Sequence, residues 1–154
     1  MEFMNRRFMD ATLPRDFATV VLVQLDLRSR RLDYVSADHE TGVLVSPGGQ
    51  YRALESTGLI LGIDEDAEFE LLELSCEAGE RLLLLTDGVT ETQGVDGQMF
   101  GGERTIELLR ESSNLPVDEV LRQLNLQLKQ FRAGVAPHDD VTVVLVEVPE
   151  GRTA

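Results

Sequence analysis

Two stretches of this chain set carboxylates at the end of an apolar run. Residues 81–91 read RLLLLTDGVTE, so Asp87 and Gly88 interrupt four consecutive leucines, and residues 137–148 read PHDDVTVVLVEV, so Asp139 and Asp140 open an alternating apolar segment. Leu82–Leu85 is too short for a membrane span and too continuous for one amphipathic face, which predicts a short strand buried on both sides. A carboxylate at the mouth of such a strand is placed to hold a cation or an attacking water. The plain alternative is an Asp-Gly turn, since both residues favour turns for local backbone reasons. Adjacent carboxylates such as Asp139 and Asp140 repel, and are tolerated when both face water or when a cation sits among them. If the two strands bring their ends together, an oxygen-rich site for a hard cation, Mg2+ or Mn2+, results.

The elements that must position these residues follow in chain order. Residues 1–10 place Phe3, Met4, Phe8 and the stem of Arg7 on one helical face before Pro14. Phe17–Asp26 reads as a central strand, apolar on both faces, with a polar turn at 27–31 leading into a strand over 31–36. Val43–Ser46 and Gln50–Leu54, separated by Pro47-Gly48-Gly49, predict a second hairpin. Glu68–Leu74 and Arg81–Thr86 add two more strands. The period then lengthens: Glu103–Glu111 predicts a short helix, and Pro116–Arg132 a long one with Val117, Val120, Leu121, Leu124, Leu128 and Phe131 on one face. Asp118 and Glu119 at its positive end, Lys129 and Arg132 at its negative end, and Gly134 beyond mark its termini. A last strand, Val141–Val148, returns to the sheet, and 150–154 is a tail. Strands joined mostly by hairpins favour an α+β sandwich of antiparallel sheets over a doubly wound fold.

Composition bounds the function. At 154 residues with 42% apolar content the chain has the size of one domain with a core. Lys and Arg number 14 against 28 Asp and Glu, a net charge of −14, which opposes binding to nucleic acid or to an anionic membrane. The single Cys76 excludes an internal disulfide, no apolar run has the length of a membrane span, and a cytoplasmic setting is expected. Cys76 reads as a small apolar core residue.

The ordered set FATVVLVQLD, RLDYVSADHETGVLV, STGLILGI, AGERLLLLTDGVTE, GQMFGGERTIELL and PHDDVTVVLVEV resembles the PPM-type metal-dependent Ser/Thr phosphatases, the protein phosphatase 2C class. The likeness is to their bacterial branch, the sporulation stage II E and RsbU-type enzymes. Each short word is weak alone; their order makes the match specific. The resemblance implies an αββα fold of two antiparallel sheets flanked by helices, with residues 1–149 as part of the phosphatase domain. It implies that Asp87 and Asp139 are catalytic metal ligands on one of two Mg2+ or Mn2+ ions. Asp140 takes the neighbouring polar position, Thr86, Gly88 and Thr142 shape the loops, and His39 keeps a place near the site. The implied chemistry is hydrolysis of phosphoserine or phosphothreonine by a metal-activated water, the substrate being a phosphorylated anti-sigma-factor antagonist.

Departures from the pattern set further expectations. No segment here matches the family's upstream Gly-Asp, whose aspartate bridges the two metals, so the fold is expected to be N-terminally incomplete, corresponding to the C-terminal two-thirds of the family domain. These residues are expected to hold at most one ion and to be inactive in isolation. The family's usual glycine is replaced by Asp38, beside His39, which reads alternatively as a structural or solvated histidine; His138 reads as a neighbour of Asp139. A different class of function, a non-catalytic pseudophosphatase module that binds a signalling partner, fits the same residues. A sheet edge left bare could be capped by a homodimer.

Overall fold

The computed structural model describes residues 1–13 and 15–150. Pro14 and all of the expected tail except Glu150 lie outside them. In order, the elements are α1 (Glu2–Ala11), β1 (Val20–Asp26), β2 (Arg31–Ala37), β3 (Gly42–Val45), β4 (Tyr51–Leu54), β5 (Leu72–Ser75), β6 (Arg81–Leu85), α2 (Asp87–Thr90), α3 (Gly102–Glu111), α4 (Val117–Arg132) and β7 (Val143–Glu147). They divide into two compact units, one of residues 1–40 and 55–77 and the other of 41–54 and 78–150.

The first unit holds α1 and an antiparallel sheet of order β1-β2-β5. The β1–β2 hairpin runs in register from Val20↔Ala37 to Asp26↔Arg31, and its turn is closed by the Asp26 carboxylate accepting the Arg28 N–H at 2.8 Å. That bond, with those from Ser29, also holds the Asp26 carboxyl below its usual value. β1 is an edge strand and not the central one its composition suggested; its outward Leu22 is 41% exposed. The strand expected at 68–74 is shifted to Leu72–Ser75, because Phe69 is taken by an isolated bridge to Gly58 and packs in the core with Ala37, Leu61 and Ala67. The face of α1 is corrected too. Phe3 and Met4 are exposed, and the packed side is rotated to Asn5 and Phe8. Asn5 is fully buried because its amide bonds twice to the 62–64 loop, donating to the Asp64 carbonyl at 2.7 Å and accepting the Gly62 N–H at 2.9 Å. A hydrogen-bonded polar anchor is invisible to a count of apolar spacing.

The second unit carries the candidate site. Its antiparallel sheet has the order β4-β3-β6-β7, so β6 lies inside and β7 at the edge. Alternation along β3, β6 and β7 turns Val43, Val45, Leu83, Leu85 and Leu145 to one face, where Leu108 and Leu109 of α3 and Val120, Leu124 and Leu128 of α4 cover them. Each such fully buried leucine contributes roughly 1.5–3 kcal/mol. Leu44 and Leu82 on the opposite face are buried as well, which is why β6 reads as an unbroken apolar run. Arg81 opens β6 almost buried, tolerated because its guanidinium reaches Glu147 at 2.7 Å and the carbonyls of Ser112 and Leu115 at 3.0 and 2.6 Å. That clasp ties the α3–α4 turn to β6 and β7. α4 ends with Ala133 in the left-handed region (φ 46°), followed by Gly134.

Candidate active site

The site grows from the paired ends of β6 and β7. Their register runs from Arg81↔Glu147 to Leu85↔Val143, which carries the chain beyond β6 and the chain before β7 to the same end of the sheet. One more rung follows the last strand pair. The Thr86 N–H donates to the Thr142 carbonyl at 3.1 Å, but the return bond, from the Thr142 N–H, goes to the Thr86 hydroxyl at 3.0 Å. That hydroxyl in turn donates to the Asp140 carbonyl at 3.0 Å. Both the donor and an acceptor of one side chain are used, and the segment 140–142 is pinned onto the end of β6.

Gly88 completes the clasp. A Cβ at this position would meet the Asp140 carbonyl oxygen head on, with the Asp140 carbonyl carbon at 2.9 Å and that of Asp139 at 3.5 Å. The glycine is therefore required for close approach of two backbones and not for an unusual φ. The Asp87–Gly88 pair is not a plain turn: it opens the four-residue helix α2. So short a helix does not stand alone. It is held by Val89, fully buried in the core, by the Val89 N–H bonded to the Thr86 carbonyl at 3.0 Å, and by the Thr92 hydroxyl donating to the Gly88 carbonyl at 2.6 Å.

Asp87, Asp139 and Asp140 are all exposed at this end of the sheet. The Asp139 carboxylate accepts the Asp140 N–H at 2.7 Å through Oδ1. A cavity of about 50 Å³ adjoins Asp139, lined also by Gly88, Glu91, Thr92, Arg132 and His138 among others. Asp87, Gly88, Asp139, Asp140, Thr86 and Thr142 are thus brought to one locus. Among the described residues no three His, Cys, Asp or Glu side chains are grouped to hold a metal ion. Asp87 and Asp139 suit a hard cation by donor type, but a cation of six or more oxygens would take most of its shell from water.

His39 belongs to the other compact unit, just past β2, where its Nδ1 lies 3.1 Å from the Thr19 hydroxyl. Asp38 before it has φ 50°, a left-handed conformation, and its N–H donates to the Ser56 hydroxyl at 2.8 Å. Aspartate tolerates that region better than most residues, as glycine does. The residues that sequence reasoning passed over are Arg132 and Glu91 in the cavity wall. Arg132 was assigned only to the end of α4, although the few residues from it to Asp139 leave it no distance to stray.

Comparison with known proteins matches residues 1–149 to the profile of the family described as Stage II sporulation protein E (SpoIIE). The chain belongs to the SpoIIE family. It is 28% identical over 134 residues to the phosphoserine phosphatase RsbP of Bacillus subtilis, covering 87% of this chain and 32% of RsbP. The SiaA-PP2C domain of Pseudomonas aeruginosa superposes with a TM-score of 0.80 at 23% identity, over 92% of this chain and 56% of that one. RsbX in complex with magnesium superposes with a TM-score of 0.66 at 17% identity, over 94% of this chain and 60% of that one. These likenesses show the PP2C fold, an α+β architecture with antiparallel sheets. The chain spans between 20% and 38% of the length of the curated relatives it matches.

Proposed function

We propose that residues 1–149 belong to a PPM-type protein phosphatase domain that hydrolyses phosphoserine or phosphothreonine on a regulatory protein of the anti-sigma-factor antagonist type. Asp87 and Asp139 are its metal ligands. Thr86, Gly88, Asp140 and Thr142 hold the two ligand loops together. The observation that carries this reading is the packing of Gly88 on the Asp139–Asp140 peptide, which sets the carboxylate-bearing ends of β6 and β7 side by side. A divalent cation bound there would offset charge on phosphoryl oxygens and lower the pKa of a water. Mg2+ and Mn2+ are the cations proposed, and the magnesium complex of RsbX supports the choice. A cytoplasmic setting and self-association into a homodimer belong to the same proposal.

We read residues 1–154 as lacking the bridging aspartate that the family resemblance implies, and among the described residues no three metal-binding side chains are grouped. Alone they hold at most one weakly bound ion and turn over negligibly. That same observation favours the second reading, a non-catalytic module that binds a phosphoprotein. A phosphate-release assay with Mn2+ and a phosphoserine protein substrate separates the two. Residues 1–154 alone should release nothing, and residues 1–154 fused behind a family segment carrying the bridging aspartate should release phosphate, lost again in Asp87→Ala or Asp139→Ala. A completed domain that binds the phosphoprotein without turnover leaves the module reading. Robust turnover by residues 1–154, abolished by either mutation, would overturn the predicted inactivity.

A further inference from the structure

The wall of the cavity beside Asp139 contains a cation that the reading above does not use. Arg132 closes α4, is half-buried, lines the cavity together with Gly88, Glu91, His138 and Asp139, and its guanidinium makes no hydrogen bond or ion pair among the described residues. Among the described residues Arg52, exposed on β4, is likewise unbonded, but it lies away from the cavity wall; the remaining arginines of this unit have a use for their heads. Arg81 bonds Glu147 and two carbonyls, Arg104 the Met99 and Phe100 carbonyls, Arg110 the Gly49 carbonyl, and Arg122 Glu119. An arginine carries five donors in a planar fork suited to carboxylate or phosphate, and leaving all of them unpaired in a partly closed wall wastes donors that water reaches only in part. The acids on the same wall, Glu91 and Asp139, would be its natural partners, yet neither is paired with it. What the wall offers is a fixed positive group beside a proposed metal ligand, in a chain of net charge −14 that otherwise repels anions.

Resting on the phosphatase reading, we propose that Arg132 is the protein's own phosphate-binding group: a positioning residue that takes the phosphoryl oxygens of substrate or product by charge-assisted hydrogen bonds, next to the cation expected at Asp87 and Asp139. Glu91, facing the same cavity, opposes the anion and tempers its affinity. The planar guanidinium fork of Arg132 would hold the dianion by paired N–H donors, and a cation bound at Asp87 and Asp139 would add to the same attraction.

The test is calorimetric titration of inorganic phosphate into residues 1–154 with Mn2+ present, a probe that cannot be turned over. Arg132→Ala should weaken binding by about tenfold or more, and Arg132→Lys by less, since a point charge keeps part of the attraction and loses the fork. Glu91→Gln should tighten binding. Lys129→Ala, which removes the same charge one turn away on an exposed position, should leave it unchanged. Partial recovery of affinity in Arg132→Lys relative to Arg132→Ala, with both variants melting alike, is the readout that a merely structural role would not give. Phosphate affinity that survives Arg132→Ala but falls in Asp87→Ala would overturn the role of Arg132 and leave the metal-site reading standing. A wild-type chain that binds no phosphate with Mn2+ present would overturn the proposal outright, and the activity of the completed domain would then be judged by its own assay.

Discussion

Gly88→Ala is the sharpest probe of how the site is held. The added methyl would meet the Asp140 carbonyl, which is backbone, so no side chain can swing aside; either α2 or the 139–140 peptide must move. Overpacking of this kind costs about 1–3 kcal/mol, which for a domain of this size lowers Tm by roughly 2–12 °C. The same displacement separates Asp87 from Asp139 and breaks the bond between the Thr86 hydroxyl and the Asp140 carbonyl. The stabilisation expected from added Mn2+ should therefore disappear along with the lost stability. Gly102→Ala is the matched control. It stands at the exposed start of α3 with nothing near its missing Cβ, and alanine there should raise stability by about 0.4–1 kcal/mol through the unfolded chain. Thermal melts of the three proteins, each with and without Mn2+, decide the matter. If Gly88→Ala melts with the wild type and keeps the full Mn2+ increment, the close packing of the two ligand loops is not what positions the site.

Further outcomes follow from the same geometry. Thr86→Val should lose both bonds of the clasp at a cost of about 1–3 kcal/mol while Thr86→Ser keeps them, and hydrogen exchange of the Thr142 amide should rise only in the valine variant. Mn2+ should raise the melting temperature of the wild type and not of Asp87→Ala; an increment that persists in the mutant means the ion binds elsewhere. The Glu119 carboxyl on α4 is lowered from 4.5 to about 2, first by its hydrogen bond with Arg122 and then by Gln123. Because the folded value lies below the unfolded one, its contribution is complete above pH 4.5 and is lost as pH falls toward 2. Urea midpoints of wild type and Glu119→Gln should converge over that range, more weakly in high salt since the pair faces water; a constant gap from pH 5 to 2.5 would contradict the assignment.

Much of the fold was legible in the chain because its signals are local. Four leucines closed by Thr86 could only be a strand buried on both faces, and the apolar spacing from Val117 to Phe131 with charged ends marks α4 to within a residue. The order of short motifs also identified the family. Sequence periodicity could not tell an edge strand from a central one, since Val20–Asp26 is equally apolar in either place and only the pairing decides. It misjudged α1 for a related reason: Asn5 is buried by hydrogen bonds to residues 62 and 64, which no helical spacing contains. At the site, residue types drew attention to Asp87, Asp139 and Asp140 at strand ends but left an Asp-Gly turn and a solvated carboxylate pair open, and the family resemblance supplied the place of Gly88. Tertiary structure decided how they are held: the Thr86 hydroxyl as the last rung of the ladder, and the backbone contact that makes Gly88 obligatory. It also decided that Arg132 faces the same cavity as Asp139. The clasp depends on which backbones meet across more than fifty residues of chain, and a linear pattern records the pieces of such a contact but not the meeting.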